Sequence, residues 1–260
     1  MPRLSDIPLD LITVPCRTDN YAFLLHDSAS GQTALVDAPE AAPIKAVLNA
    51  QGWQLTDILL THHHDDHTAG VAELRGPGVR VIGAAADAHR LPPLDLAVVT
   101  GDALTVCGEV VQVIDVSGHT IGHIAFHFPA SGYAFTADSL MAMGCGRLFE
   151  GTAGQMWASL LKLRALPPET LICSGHEYTA ANARFAATLE SGNPALTSRI
   201  AAITAARAQG TPTVPSKLSD EIATNPFLRA DVPALQAAVG MTGAAPAAVF
   251  AEVRRRKDKF

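Results

Sequence analysis

The chain has 260 residues, of which 48% are hydrophobic and 17% charged, so a substantial core is available and a mainly disordered state is excluded. Nineteen Lys and Arg stand against 25 Asp and Glu, a net charge of -6, which argues against the clustered basic face that nucleic acid requires. The start, MPRLSDIPLDLITVP, is broken by Asp6, Pro8 and Asp10, unlike the apolar stretch of a signal peptide, and no apolar run approaches the about 18 residues of a membrane span. Short apolar runs between turn signals then predict strands at 9–14, 22–25, 33–37, 57–60, 80–84, 110–116, 123–128, 133–137 and 170–174. Helices are expected over 41–51, ending at Gly52, and over 156–166, ending at Pro167-Pro168. After about Gly175 the strand signals stop, and 178–191, 194–209, 232–239 and 246–257 read as helices. The pattern is that of an α/β domain followed by a helical one. Cys16, Cys107, Cys145 and Cys173 are scattered without a CxxC pair, which fits a reducing cytoplasm and argues against a disulfide framework or a thiolate metal site.

The chemistry is concentrated at strand ends. Thr61-His62-His63-His64-Asp65-Asp66-His67 follows the strand 57–60, where α/β folds place their sites, and mixes the imidazole and carboxylate ligands that divalent metals take. His119, Asp138 and His176 each follow a further apolar strand and lie near a small residue that lets the backbone come close. Singly, each reads as a loop residue; four strand ends together favour a dinuclear metal site. His123 and His127 alternate along HIAFHF and read as packing or hydrogen-bonding residues on one sheet face.

These intervals resemble those of the metallo-β-lactamase superfamily, and within it the chain resembles glyoxalase II, the hydroxyacylglutathione hydrolases. The likeness rests on Thr61–His67, Gly144–Gly151, Gly175-His-Glu-Tyr-Thr179, Thr224-Asn-Pro-Phe-Leu-Arg229 and Val253–Asp258. It implies an αββα sandwich with a C-terminal all-helical domain, divided here as a catalytic domain 1–175 and a substrate-binding domain 176–260. It also implies that His62, His64 and His119 hold one metal, that Asp66, His67 and His176 hold the other, and that Asp138 bridges them. His63 and Asp65 occupy variable positions and are left out. The implied cofactors are two divalent ions, zinc first, with iron or manganese as alternatives.

The implied reaction is hydrolysis of S-D-lactoylglutathione to glutathione and D-lactate, by attack of a metal-bridging hydroxide on the thioester. Asp66 could orient the hydroxide or collect a proton. Glutathione contacts map to Arg147, Tyr178, Asn182, Arg254 and Lys257; Arg254 and Lys257 are three apart and share a helix face. Arg147 stands where the family often has lysine, and Phe149 where tyrosine can occur. The alternative is a persulfide dioxygenase or another hydrolase of the same fold. Neither a nucleic acid nor a membrane is an expected partner, and the chain is expected to be a monomer.

Overall fold

The computed structural model describes residues 9–260, so Asp6 and Pro8 lie outside the described residues. Contacts group the chain into two compact units. One runs to Asp115 and includes Gly122–Ala137; the other takes Val116–Ile121 and Asp138–Phe260.

The first unit is built from β1 (Asp10–Cys16), β2 (Asn20–Asp27), β3 (Gln32–Val36), α1 (Ala41–Gln51), β4 (Asp57–Leu60), α2 (Asp65–Thr68), α3 (Val71–Leu74), β5 (Arg80–Ala84), β6 (Leu96–Val98), β7 (Ala103–Val106), β8 (Glu109–Asp115), β9 (Ile124–Phe128) and β10 (Tyr133–Ala137). Strands β1 to β6 lie side by side in chain order; β1, β2 and β3 pair antiparallel, and β3 to β6 pair parallel. Their inner members read as apolar runs because both faces are buried: Ile58, Leu59 and Leu60 of β4 are fully buried, and the buried Asp57 before them pairs with Arg80. Helix α1 covers one face with Ala41, Ile44 and Leu48, spaced so that they share a side. It ends at Gly52, whose φ of 69° would strain any other residue, while Trp53 N–H donates to Leu48 O at 2.9 Å.

The strands β7, β8, β9 and β10 pair antiparallel in that order. β8 alternates buried Glu109, Val111 and Val113 with exposed Val110 and Gln112. Phe23 of β2 meets Phe135 of β10 edge-on at 5.4 Å, which ties this meander to the first sheet. The short elements α2, α3, β6 and β7 have three or four residues each, too few to show a period in the sequence. β9 begins at Ile124, so His123 precedes the strand instead of lying on its face.

The second unit holds β11 (Leu140–Met141), β12 (Gly144–Cys145), α4 (Ala153–Arg164), β13 (Leu171–Ser174), α5 (Thr179–Leu189), α6 (Pro194–Ala208), β14 (Ser216–Lys217), α7 (Leu218–Thr224), α8 (Pro233–Ala238) and α9 (Pro246–Lys259). A short strand therefore follows Gly175 after all: β14 pairs antiparallel with β13 through two residues. Helix α4 starts three residues earlier than its apolar pattern suggests, because Thr152 and Gln155 form a reciprocal capping box. Trp157, Phe227 and Phe250 form an aromatic cluster between α4 and α9, and Phe185 of α5 stacks on Phe227.

Buried polar side chains from the helices hold the β11–β12 turn. Asn225 donates to Met141 O at 3.1 Å and Gly144 O at 3.0 Å, and Asn182 donates to Ala142 O at 3.1 Å. Glu221, fully buried, accepts from Met143 N–H at 2.8 Å, the Ser216 hydroxyl at 2.7 Å and Asn225 at 3.0 Å, and pairs with Arg199. Arg254 donates to Cys145 O at 3.0 Å. Such a network stabilises only when every member is satisfied.

Asn225→Ala would leave two carbonyls and part of Glu221 unsatisfied, each buried group costing about 1–3 kcal/mol. A total loss of roughly 2–5 kcal/mol is expected, seen in thermal unfolding as a Tm lower by roughly 2–4 °C per kcal/mol. A Tm unchanged within a degree or so would contradict the clamp.

Candidate metal centre

In the first unit the parallel strands β3, β4 and β5 end on one edge, and each end carries a functional side chain. After β3 comes Asp37, after β4 the run His62–His67, and after β5 a 3-10 turn ending at Asp87. His62 and His67 are fully buried. His62 Nε2 and His64 Nδ1 lie 3.2 Å apart. Two nitrogens bound to one zinc at about 2.0–2.1 Å stand about 3.3 Å apart at the tetrahedral angle, so this pair fits a shared metal.

Asp37 supplies the orientation. One of its oxygens accepts from Thr61 N–H at 2.9 Å; the other accepts from the Thr61 hydroxyl at 2.9 Å and from His67 Nδ1 at 2.8 Å. A carboxylate only accepts, so Nδ1 of His67 carries the proton and Nε2 presents its lone pair. That Nε2 lies 3.8 Å from Asp66 Oδ2, two electron-rich atoms that a cation between them would reconcile. Asp66 is itself steered by Asn20, which donates to its Oδ2 and its backbone carbonyl, each at 3.0 Å. Asp37, His62 and His67 offer ligand atoms within 4.8 Å of one another, but the Asp37 oxygen is already committed to the His67 ring.

The two polar residues left out of the ligand set have other work. His63 Nδ1 lies 3.0 Å from Asp87 Oδ2, and Asp65 pairs with Arg17 at 2.8 Å. His123 is fully buried and stacks on His62 at 4.5 Å with planes 12° apart, so it backs a candidate ligand. His127 packs on the sheet against Gln112 Oε1 at 3.0 Å, and burial lowers its pKa despite the opposing charge of Glu109.

In the second unit the carboxylate of Asp138 has one oxygen 3.4 Å from His119 Nε2 and the other 3.4 Å from His176 Nε2. His119 Nδ1 lies 2.8 Å from the carbonyl oxygen of Arg147, which can only accept. Nε2 of the neutral ring is then a lone pair aimed at a carboxylate oxygen, which needs a cation between them. One metal about 2.0–2.2 Å from a nitrogen and an oxygen holds them about 3.4 Å apart. Protonating both rings would instead bury two positive charges against one negative. The donor set fits a metal on each side of Asp138.

The loop between β12 and α4 is shaped for this. A Cβ on Gly146 would lie 2.0 Å from Asp138 O and 2.9 Å from His119 Nδ1, and one on Gly151 2.6 Å from Gly118 Cα. Glycine is the only residue that allows those approaches. Phe149, exposed, rests on the His119 ring at 5.1 Å, and Tyr178 stacks on the His176 ring at 4.7 Å.

The five expected substrate contacts all lie in the second unit, in different settings. Arg147 and Tyr178 are exposed. Asn182 is buried, with its amide spent on Ala142 O. Arg254 is buried too, paired with Asp258 at 2.7 Å and lying over the Phe227 ring at 5.0 Å. Lys257 donates to Ala181 O at 3.3 Å and has its pKa lowered to about 8, first by burial, then by Arg254, Arg184 and Arg147 against Asp258. All four cysteines are buried; burial raises the thiols of Cys16 and Cys145 to about 11 and that of Cys173 well above its ordinary value, so these three offer no thiolate to a metal.

Sequence reasoning missed Asp37, Asn20 and Asp87. Asp37 ends the strand TALVD and Asp87 follows the strand RVIGA, the same strand-end signal that marked Asp138, without a neighbouring histidine to draw notice.

Residues 18–176 match the family model of the metallo-beta-lactamase superfamily, and residues 177–260 match that of the hydroxyacylglutathione hydrolase C-terminus. Proteins named hydroxyacylglutathione hydrolase include one from Cereibacter sphaeroides, 68% identical over 98% of this chain and 100% of its own length. Another, from Ruegeria pomeroyi, is 63% identical over 98% of this chain and 100% of its own length. Among solved structures, ETHE1 from Myxococcus xanthus has a TM-score of 0.66 at 23% identity, covering 96% of this chain and 90% of its own, a likeness of fold. A di-iron-bound protein, TTHA1623, has a TM-score of 0.54 at 27% identity, covering 64% of this chain and 91% of its own.

Metal content after dialysis discriminates the roles. Asp138→Ala is expected to lower binding at both sites and Asp37→Asn to weaken it about 10–100-fold, as loss of a ligand's orienting partner does. His63→Ala should retain wild-type metal. Two metals per chain in Asp138→Ala would overturn the bridging assignment.

Proposed function

The chain belongs to the hydroxyacylglutathione hydrolase family of the metallo-β-lactamase superfamily, and from that premise we propose that it hydrolyses S-D-lactoylglutathione to glutathione and D-lactate. The observation that carries the reading is the carboxylate of Asp138, each oxygen 3.4 Å from a different imidazole. The chain holds divalent metal through clusters of His and Asp. We assign one ion, zinc, to His62, His64 and His119 and a second to Asp66, His67 and His176, with Asp138 shared. The persulfide dioxygenase alternative is not favoured, because residues 177–260 match the hydrolase's own C-terminal model. The same models meet at 176/177, which supports a catalytic domain 1–175 and a substrate-binding domain 176–260. We further read the chain as a cytoplasmic monomer; its four cysteines are buried and none forms a disulfide.

Divalent metal supplies hydroxide at neutral pH and polarises the thioester carbonyl. The chain's own groups do the rest. Asp37 and the carbonyl of Arg147 keep the Nδ1 protons of His67 and His119 in place, so both rings offer Nε2. Asp66, fixed by Asn20, is placed to orient the attacking water and take its proton. The leaving thiolate comes from a thiol of pKa near about 8.5 and needs no strong general acid.

Recognition falls to the second unit. Arg147, Tyr178 and Lys257 present accessible atoms to a glutathione moiety. Asn182 and Arg254 act by holding the 142–145 backbone, which leads into Arg147.

Because the Lys257 pKa is lowered to about 8, its charge is complete below that pH and lost above it. KM for S-D-lactoylglutathione should be flat below pH 8 and rise above it, with kcat unaffected by this group, since a remote contact is felt equally in ground and transition states. Lys257→Arg should flatten the rise, and Lys257→Met should raise KM by about tenfold or more below the transition. A wild-type profile identical to that of Lys257→Met removes the lysine from the site. Failure of the protein to release glutathione at all would end the functional reading.

A further inference from the structure

We infer that Arg184 is a substrate-binding residue which, with Arg147 and Lys257, forms a cation cluster that takes both carboxylates of the glutathione moiety. The inference rests on the hydrolase reading above. Lys257 lies over one turn of α5, its ammonium donating to Ala181 O at 3.3 Å and standing 5.3 Å from the Phe185 ring. Arg184 belongs to that same turn, three residues after Ala181, and is exposed. It and Arg147 both act on the charge of Lys257.

Charge accounting separates these cations from the neighbouring arginines of α9, while Lys259, exposed at the helix end, is equally without an ion pair among the described residues. Arg254 is answered by Asp258, and Arg255 and Arg256 by Glu252. Among the described residues no carboxylate forms an ion pair with Arg147, Arg184 or Lys257. In a chain with 25 acidic residues and a net charge of -6, three like charges gathered without a counter-ion oppose folding where nothing in the fold requires them. A ligand with two carboxylates supplies the missing charge. With the Arg254 guanidinium occupied by Asp258 and Cys145 O, the side chains open to such a ligand are Arg147, Lys257 and Arg184. A planar guanidinium also grips a carboxylate through two parallel hydrogen bonds, which an ammonium cannot do.

The test varies enzyme and substrate together. Arg184→Ala should raise KM for S-lactoylglutathione by about tenfold with kcat unchanged and Tm no lower than wild type, and Arg184→Lys should restore part of the KM loss. The same pair is then compared on S-lactoyl-γ-glutamylcysteine, which lacks the glycine carboxylate, and S-lactoyl-cysteinylglycine, which lacks the γ-glutamyl one. The penalty should vanish for the substrate missing the carboxylate that Arg184 holds and persist for the other. A KM for S-lactoylglutathione within about twofold of wild type, or an equal penalty on all three thioesters, overturns the assignment. Wild-type enzyme that turns over S-lactoylglutathione no better than a thioester without glutathione overturns the hydrolase reading itself, and this inference with it.

Discussion

A carboxylate placed between two imidazole nitrogens, 3.4 Å from each, is the constraint on which the candidate centre depends. Asp138 holds that position because its carbonyl accepts from Gly146 N–H at 3.1 Å, and because residue 146 has no Cβ to push the chains apart. His119 is turned by the carbonyl of Arg147, and His67, in the other unit, by the carboxylate of Asp37. In each case the outer partner fixes which nitrogen is bare. The result is a set of donors that repel one another until cations arrive, an arrangement suited to gripping divalent ions.

The helical region does more than carry the proposed substrate contacts. Asn182, Glu221, Asn225 and Arg254 donate to or accept from the backbone of residues 141–145, all of them buried. Two residues further on, the same backbone supplies the carbonyl that orients His119. The proposed recognition and the proposed chemistry thus share one loop: the segment that carries the exposed Arg147 also orients the candidate ligand His119. This explains why the Thr224-Asn-Pro motif, far along the chain from any candidate ligand, accompanies the histidines: Asn225 is the clamp.

Much of this was legible in the sequence, for identifiable reasons. Strands such as DILL and RVIGA stand out because, after the charged residue that opens each, buried parallel strands continue as apolar runs, and a polar residue directly after one marks a strand end. Asp37 and Asp87 obey the same rule, but a lone aspartate after a strand resembles any turn. Spacing also reports a helix face without its depth. Arg254 and Lys257 share a face of α9, yet one is 6% exposed and bound on every side while the other reaches the surface. The composition change near Gly175 likewise differs from the division by contacts at Ala137/Asp138, because α4 packs on α9 and so joins the helices that follow it.

The central claim is that hydrolysis depends on metal held by these histidines and aspartates. Its most direct test is to strip the protein with chelator, titrate zinc back, and follow bound metal and S-D-lactoylglutathione hydrolysis on the same sample. The account predicts no activity in the stripped protein and full recovery as occupancy approaches about two ions per chain, as a two-metal site requires. Hydrolysis that persists in metal-free protein, or that is indifferent to metal added back, would contradict it.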